Sequence, residues 1–328
     1  MRQWRLSSEE MLVYNVLGRF DPRDVLLGAL AIVTVVYLFV LARGLLRARA
    51  SERVAPSASF VATGFVANFF DTLGIGSFAT TTAIFRHWRL VRDERIPGTL
   101  NTGNTFPTIL QAFIYTKIVP VDARTLILMI AAAAVGAWLG AGFVARWPRR
   151  RVQIGMGGAL LAAAAVMLAA QLHIVPSGGE LLRLDGARLA VGLVGNFGLG
   201  MLMTIGIGLY APCMILVTLL GMNPTAAFPI MMGSCAFLMP VASARFIRAK
   251  CYDPRATFGM LLGGAPAVLI AAFIIRSLPL DAVRWLVVIV VVYTAFGLLR
   301  TALSRHSGVE PSIAPPLNPV EATPVVTP

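Results

Sequence analysis

The chain has 328 residues, of which 57% are hydrophobic and 13% charged, and 28 Lys and Arg against 15 Asp and Glu give it a net charge of +13. Soluble domains carry roughly a quarter charged residues, so a mainly water-facing surface is excluded. The cations lie in arms, in linkers and at the ends of apolar runs, never deep inside a run. A bilayer imposes that distribution on Lys and Arg, so the basicity points to anionic membrane lipid as a partner and away from nucleic acid.

In chain order, an arm at 1–23 mixes Arg with Glu9, Glu10 and Asp21 and is expected at the membrane interface. The apolar run 25–46 follows this long arm without a small-residue cleavage site, so it reads as a retained helix and not as a signal peptide. Eight further apolar segments occupy 58–85, 97–117, 124–146, 152–172, 188–219, 224–246, 256–276 and 283–303. A tail at 304–328, rich in Pro, Val and Thr, is expected to be disordered. The expected organisation is the arm, a membrane domain over 24–303, and the tail.

The membrane domain contains a duplication. The second segment carries Asn68-Phe-Phe-Asp-Thr-Leu-Gly-Ile-Gly76, and the sixth carries Asn196-Phe-Gly-Leu-Gly-Met-Leu-Met-Thr204-Ile-Gly-Ile-Gly208. Each has Asn-Phe followed by Thr-x-Gly-Ile-Gly. Gly103-Asn104 then aligns with Gly233-Ser234, and Thr125 with Thr257, at nearly constant offset. The repeats cover 58–172 and 188–303, leaving the first helix outside both.

Charge counting bears on their orientation. If all nine segments cross, the two sides of the membrane share the 28 cations equally and no positive-inside bias exists. If the second and sixth segments turn back, the sides carry 18 and 10 of the 28. The second arrangement obeys the rule and inverts one half relative to the other, a recurrent plan in secondary transporters. The expected fold class is therefore an all-α polytopic membrane protein. It has two inverted repeats, each opening with a broken, re-entrant segment, plus one extra N-terminal helix.

The polar residues inside these segments are the candidate site. Gly costs about 1 kcal/mol against Ala in a helix interior, so Thr72, Gly74 and Gly76, and Thr204, Gly206 and Gly208, mark unwound stretches beside Asn68 and Asn196. Freed amides at such a break can hold an anion without a buried cation; the alternative is close helix packing through glycine. Asp71 is the acid well inside an apolar segment, with Met203 at the matching place. It reads either as a proton carrier or as a cap on the break. Asn101, Asn104 and Gln111 in the third segment and Ser234 in its counterpart form either walls of one polar cavity or interhelical hydrogen bonds. Cys213, Cys235 and Cys251 lack metal-ligand spacing and the three histidines lie far apart, so no cofactor or metal is expected. Buried cysteines are more often apolar fillers than reactive groups.

Gly64-Phe-Val-Ala-Asn-Phe-Phe-Asp-Thr-Leu-Gly-Ile-Gly76, with Gly192-Leu-Val-Gly195 onward to Gly208, resembles the TauE/SafE family of bacterial sulfite and anion permeases over 58–303. A weaker likeness to thiosulfate-type carriers rests on Cys213 and Cys235 alone. The family resemblance implies a permease of the bacterial inner membrane for sulfite, a sulfonate or a related organic anion, coupled to a proton or sodium gradient. The expected substrate contacts are Asn68, Asp71, Thr72, Gly74, Gly76, Asn196, Thr204, Gly206 and Gly208, with Asn101, Asn104, Gln111 and Ser234 around them. A membrane-embedded enzyme would need a nucleophile–base or metal constellation in apolar segments. A sensor or assembly subunit would be expected to carry a soluble domain.

Overall fold

The computed structural model describes residues 21–49, 54–143, 149–172, 179–203, 208–277 and 279–303, so the expectations for most of the arm and for the tail lie outside it. Among these residues the chain forms eleven α-helices. They are α1 (Pro22–Arg49), α2 (Ala58–Thr72), α3 (Ser77–His87), α4 (Ile96–Ile118), α5 (Ala123–Phe143), α6 (Arg149–Gln171), α7 (Gly186–Met203), α8 (Tyr210–Leu219), α9 (Ala227–Arg248), α10 (Pro254–Ser277) and α11 (Leu280–Leu303). The described residues contain no named strand. Four stretches are long and apolar enough to cross a bilayer: α1, α7, Pro224–Arg248 and Pro254–Ile274. The chain is an all-α, multi-pass membrane protein.

The two long glycine-containing segments are each two helices. After α2 the chain leaves the helical path at Gly74 (φ 96°) and Gly76 (φ 77°), a region that a Cβ disfavours, and restarts as α3. Phe60 near the start of α2 meets Phe85 near the end of α3 edge to face, ring centroids 6.1 Å apart. A continuous helix would separate those positions by about 37 Å at 1.5 Å per residue. This segment turns back. The sixth segment divides into α7 and α8, and it also returns to the end where it began. Leu181, before α7, receives a hydrogen bond from the Asn223 amide (2.9 Å) and donates to the carbonyl of Gly221 (3.2 Å), both beyond α8.

Equivalent helices of the two halves meet head to tail. In α4 and α9, Gly98 lies against Phe246, Thr105 shares a 2.9 Å hydrogen bond with Ser243, and Tyr115 stacks on Phe228 at 5.1 Å. As numbering rises along one it falls along the other. In α6 and α11, the Arg150 Nε donates to the Ala302 carbonyl at 2.9 Å while Gly157 faces Ala295 and Leu299. Two further large contacts are parallel and exchange partners: α2 packs along α10, and α5 along α7. Each of these seams is closed by glycine. A Cβ on Gly64 or Gly263 in the first, or on Gly136 or Gly200 in the second, would strike the opposing backbone. Close backbone approach of this kind is how helices associate where the hydrophobic effect no longer distinguishes protein from solvent.

The matched helices also begin alike. Asp122 accepts from the Thr125 amide at the start of α5, and Asp253 from the Ala256 amide at the start of α10, both at 2.9 Å. These side-chain caps satisfy amides that have no partner within the helix. One end of the molecule gathers the starts of α2, α4 and α10 with the ends of α3 and α9, tied by Arg255 to the Ala55 carbonyl (3.0 Å) and the Asp253 amide to Thr99 (2.9 Å). The opposite end gathers Arg23 bonded to the Val121 carbonyl, Asp122 bonded to Leu182, and the start of α7. α1 lies outside both halves. It buries Leu30, Tyr37 and Leu41 against α4 and α9 and leaves Ile32, Val35, Val36 and Phe39 exposed to lipid.

Candidate functional site

The site is built around the first break. Asp71, one residue before the end of α2, is buried. Its Oδ1 accepts from the Ser77 amide at 2.6 Å, so the carboxyl caps α3 across the turn. The capping reading of Asp71 is therefore present in the structure. Leu73, Gly74 and Ile75 donate their amides to the carbonyls of Phe70, Asp71 and Phe70. Four amides of this turn are thus already satisfied from within α2, which leaves them unavailable to an anion in this conformation.

The other carboxyl oxygen faces outward from its own half-turn. Oδ2 of Asp71 accepts from Gln111 Nε2 at 3.0 Å and from the Tyr210 hydroxyl at 3.3 Å. The Tyr210 hydroxyl lies equally 3.3 Å from Gln111 Oε1. Tyr210 opens α8, immediately beyond the second break, so a single carboxyl joins both broken segments. Gln111 also donates to Thr72 Oγ1 (3.0 Å), and Tyr115 donates to the Thr72 carbonyl (3.1 Å). Gly74 is pressed against α8, where a Cβ would lie 3.2 Å from the Met214 sulfur.

Two matching polar pairs flank this centre. Asn68 donates to Asn104 Oδ1 (3.0 Å) in the first half, and Asn196 donates to Ser234 Oγ (3.3 Å) and to the Met129 carbonyl (2.7 Å) in the second. All four side chains are fully buried. Asn68 Oδ1, Asn104 Nδ2 and Asn196 Oδ1 have no hydrogen-bond partner among the described residues. A buried polar atom left unpaired costs about 1–3 kcal/mol, so these atoms are places where a polar ligand would gain most. Beside Ser234, the Cys235 thiol contacts the Met203 sulfur at 3.7 Å.

The other candidates divide. Asn101 is buried but turns back on its own helix, donating to the Pro97 carbonyl at 3.0 Å. Gly76 and Gly208 have open space where a Cβ would stand. Thr204 and Gly206 lie outside the described residues. Elsewhere on α4, hydroxyls bridge helices: Thr102 shares a 2.7 Å hydrogen bond with Thr257, and Thr105 one with Ser243. At those positions the interhelical hydrogen-bond reading of the polar segment holds.

Residues 15–167 match the family model described as Sulfite exporter TauE/SafE. The match takes in the motif at 64–76 and runs from before α1 to near the end of α6. It stops short of the second half. No curated protein and no solved structure matches the chain. A multi-pass membrane protein carrying a sulfite-exporter match is the coarse functional statement that the comparisons support.

Tyr210, which meets Asp71 from the second half, is not singled out by any pattern in the sequence. Its signal was its position, two residues after Gly208 at the exit of the second break. Tyr115 was hidden differently, as one aromatic among the apolar residues late in α4.

Proposed function

We propose that this chain is a secondary transporter that carries a small anion, such as sulfite, a sulfonate or a related organic anion, across the bacterial inner membrane. The two halves, 58–172 and 188–303, act as inverted repeats within the 24–303 domain and rock about a central site. The observation that carries this reading is the junction of Asp71 and Gln111 from one half with Tyr210 from the other. Head-to-tail pairing of α4 with α9 supports the inverted relation, and the TauE/SafE match supports the substrate class. Substrate would contact Asn68, Asn104, Gln111, Asn196 and Ser234 as the halves separate. Thr72, Gly74, Gly76 and Gly208 would line its path. With four amides of the first break satisfied, side-chain N–H groups at the meeting of the two broken segments, such as the unpaired Asn104 Nδ2, would hold the anion in place of buried cations.

Purified protein in liposomes tests this directly. Counterflow of labelled sulfite and sulfoacetate is expected, with none of an unrelated neutral solute. Gly74→Leu combined with Gly206→Leu should abolish counterflow while the protein still inserts and purifies as a single species. Wild-type rates in the double variant would refute a site at the breaks.

A further inference from the structure

We infer that Asp71 is the proton-binding group of the transport cycle, with Tyr210 as the hydroxyl that senses its protonation from the opposite half. This deepens the transporter reading and rests on it. The carboxyl is placed where one proton changes the bonding of both broken segments. Ser77 is held by Oδ1, while Gln111 and Tyr210 are held by Oδ2. With the carboxylate charged, all of these neighbours donate to it. Among the described residues no cationic side chain pairs with it. From α4 come Gln111 and Tyr115, from α8 Tyr210 and Cys213, from α9 Cys235, and from α3 Ser77. α10 has no ionisable side chain between Arg255 and Arg276. A lone carboxyl inside a membrane domain, surrounded by neutral donors, is suited to pass through the membrane core as the uncharged acid.

The Tyr210 hydroxyl supplies the second arrangement. It stands 3.3 Å from both Asp71 Oδ2 and Gln111 Oε1. When water on one side delivers a proton, a new O–H bond forms at Oδ2 and the acid donates to the Tyr210 oxygen. Tyr210 then turns its own hydrogen to Gln111 Oε1, and Gln111 Nε2 keeps Thr72 Oγ1 as acceptor (3.0 Å). Release to water on the other side reverses the sequence, with no net change in the protein. The second half has Met203 at the matching place, so each cycle has one such carboxyl.

Two measurements test this with different dependence on transport. In pH-difference infrared spectra of the full chain in lipid, a protonated-carboxyl band should titrate and should be missing in Asp71→Asn. Tyr210→Phe should keep the band and move its midpoint. A band unchanged in Asp71→Asn, or none in wild type, overturns the inference whether or not any anion moves. In liposomes, wild-type protein should accumulate sulfoacetate when a pH gradient is imposed. In Asp71→Asn the ratio of accumulated to exchanged sulfoacetate should no longer depend on the imposed pH difference, whatever the exchange rate. Accumulation by Asp71→Asn at the wild-type level overturns proton coupling through this residue and leaves the transporter reading standing. Absence of exchange by wild-type protein for both sulfite and sulfoacetate overturns that reading instead.

Discussion

Thr105 and Ser243 illustrate how polar residues hold this protein together at the scale of single side chains. Their hydroxyls share a 2.9 Å hydrogen bond across the α4–α9 interface, and Thr105 also donates to the Asn101 carbonyl at 2.6 Å. Hydrogen bonds between membrane helices average about 0.6 kcal/mol, because the separated helices find substitute partners in their own backbones. Thr105→Ala and Ser243→Ala should each lower stability by about that amount, measured by reversible unfolding in mixed micelles. The double variant should lose less than the sum, since one shared bond is removed once. Additive losses would mean that the two hydroxyls act independently. Gln111 and Tyr210 belong to a different class: their partner is Asp71, and removing either strips a donor from a buried carboxyl.

At the scale of elements, the decisive contacts are those made by residues with no functional groups. The α2–α10 and α5–α7 seams close over Gly64, Gly263, Gly136 and Gly200, each facing backbone. Gly263→Leu and Gly136→Leu should force the helices apart, at a cost of about 1–3 kcal/mol or more for overpacking. The expected readout is loss of the monodisperse species on size exclusion. Gly28→Leu on α1, where nothing lies within 4 Å, is the control and should purify like wild type. The helices themselves were legible, because apolar length and polar interruptions show directly in composition. The first break was legible because Gly-Ile-Gly cannot continue a helix cheaply, and the return of α2–α3 was foreshadowed by the charge count. The pairing of α2 with α10 was not. A seam glycine and a lipid-facing glycine such as Gly28 look the same in one sequence, and only the partner's backbone distinguishes them. Asp71 was recognised as important, but its link to Tyr210 spans 139 positions and leaves no local pattern.

At the scale of the whole molecule, the arrangement makes a prediction about sidedness. The end that gathers the starts of α2, α4 and α10 also bears Arg86, Arg89, Arg92, Arg95, Arg245, Arg248, Lys250 and Arg255. It belongs to the side counted with 18 of the 28 cations, which the positive-inside rule makes cytoplasmic. Cys251 sits at this end, half-buried, with its carbonyl beside Gly98, whereas Cys213 and Cys235 are buried. Cys251 is therefore a native probe of one side. Glu180 is exposed at the other end, next to the pairing of Leu181 with Gly221. In sealed cells, an impermeant maleimide should leave Cys251 unlabelled until the membrane is opened from the cytoplasmic side. Glu180→Cys in a Cys251→Ser background should label from outside without lysis. Opposite labelling requires that the hairpins α2–α3 and α7–α8 enter from opposite faces, because each end of the molecule holds the mouth of one of them. Labelling of both positions from the same face would be incompatible with inverted halves, and rocking about the Asp71–Tyr210 junction could not then alternate access between the two sides.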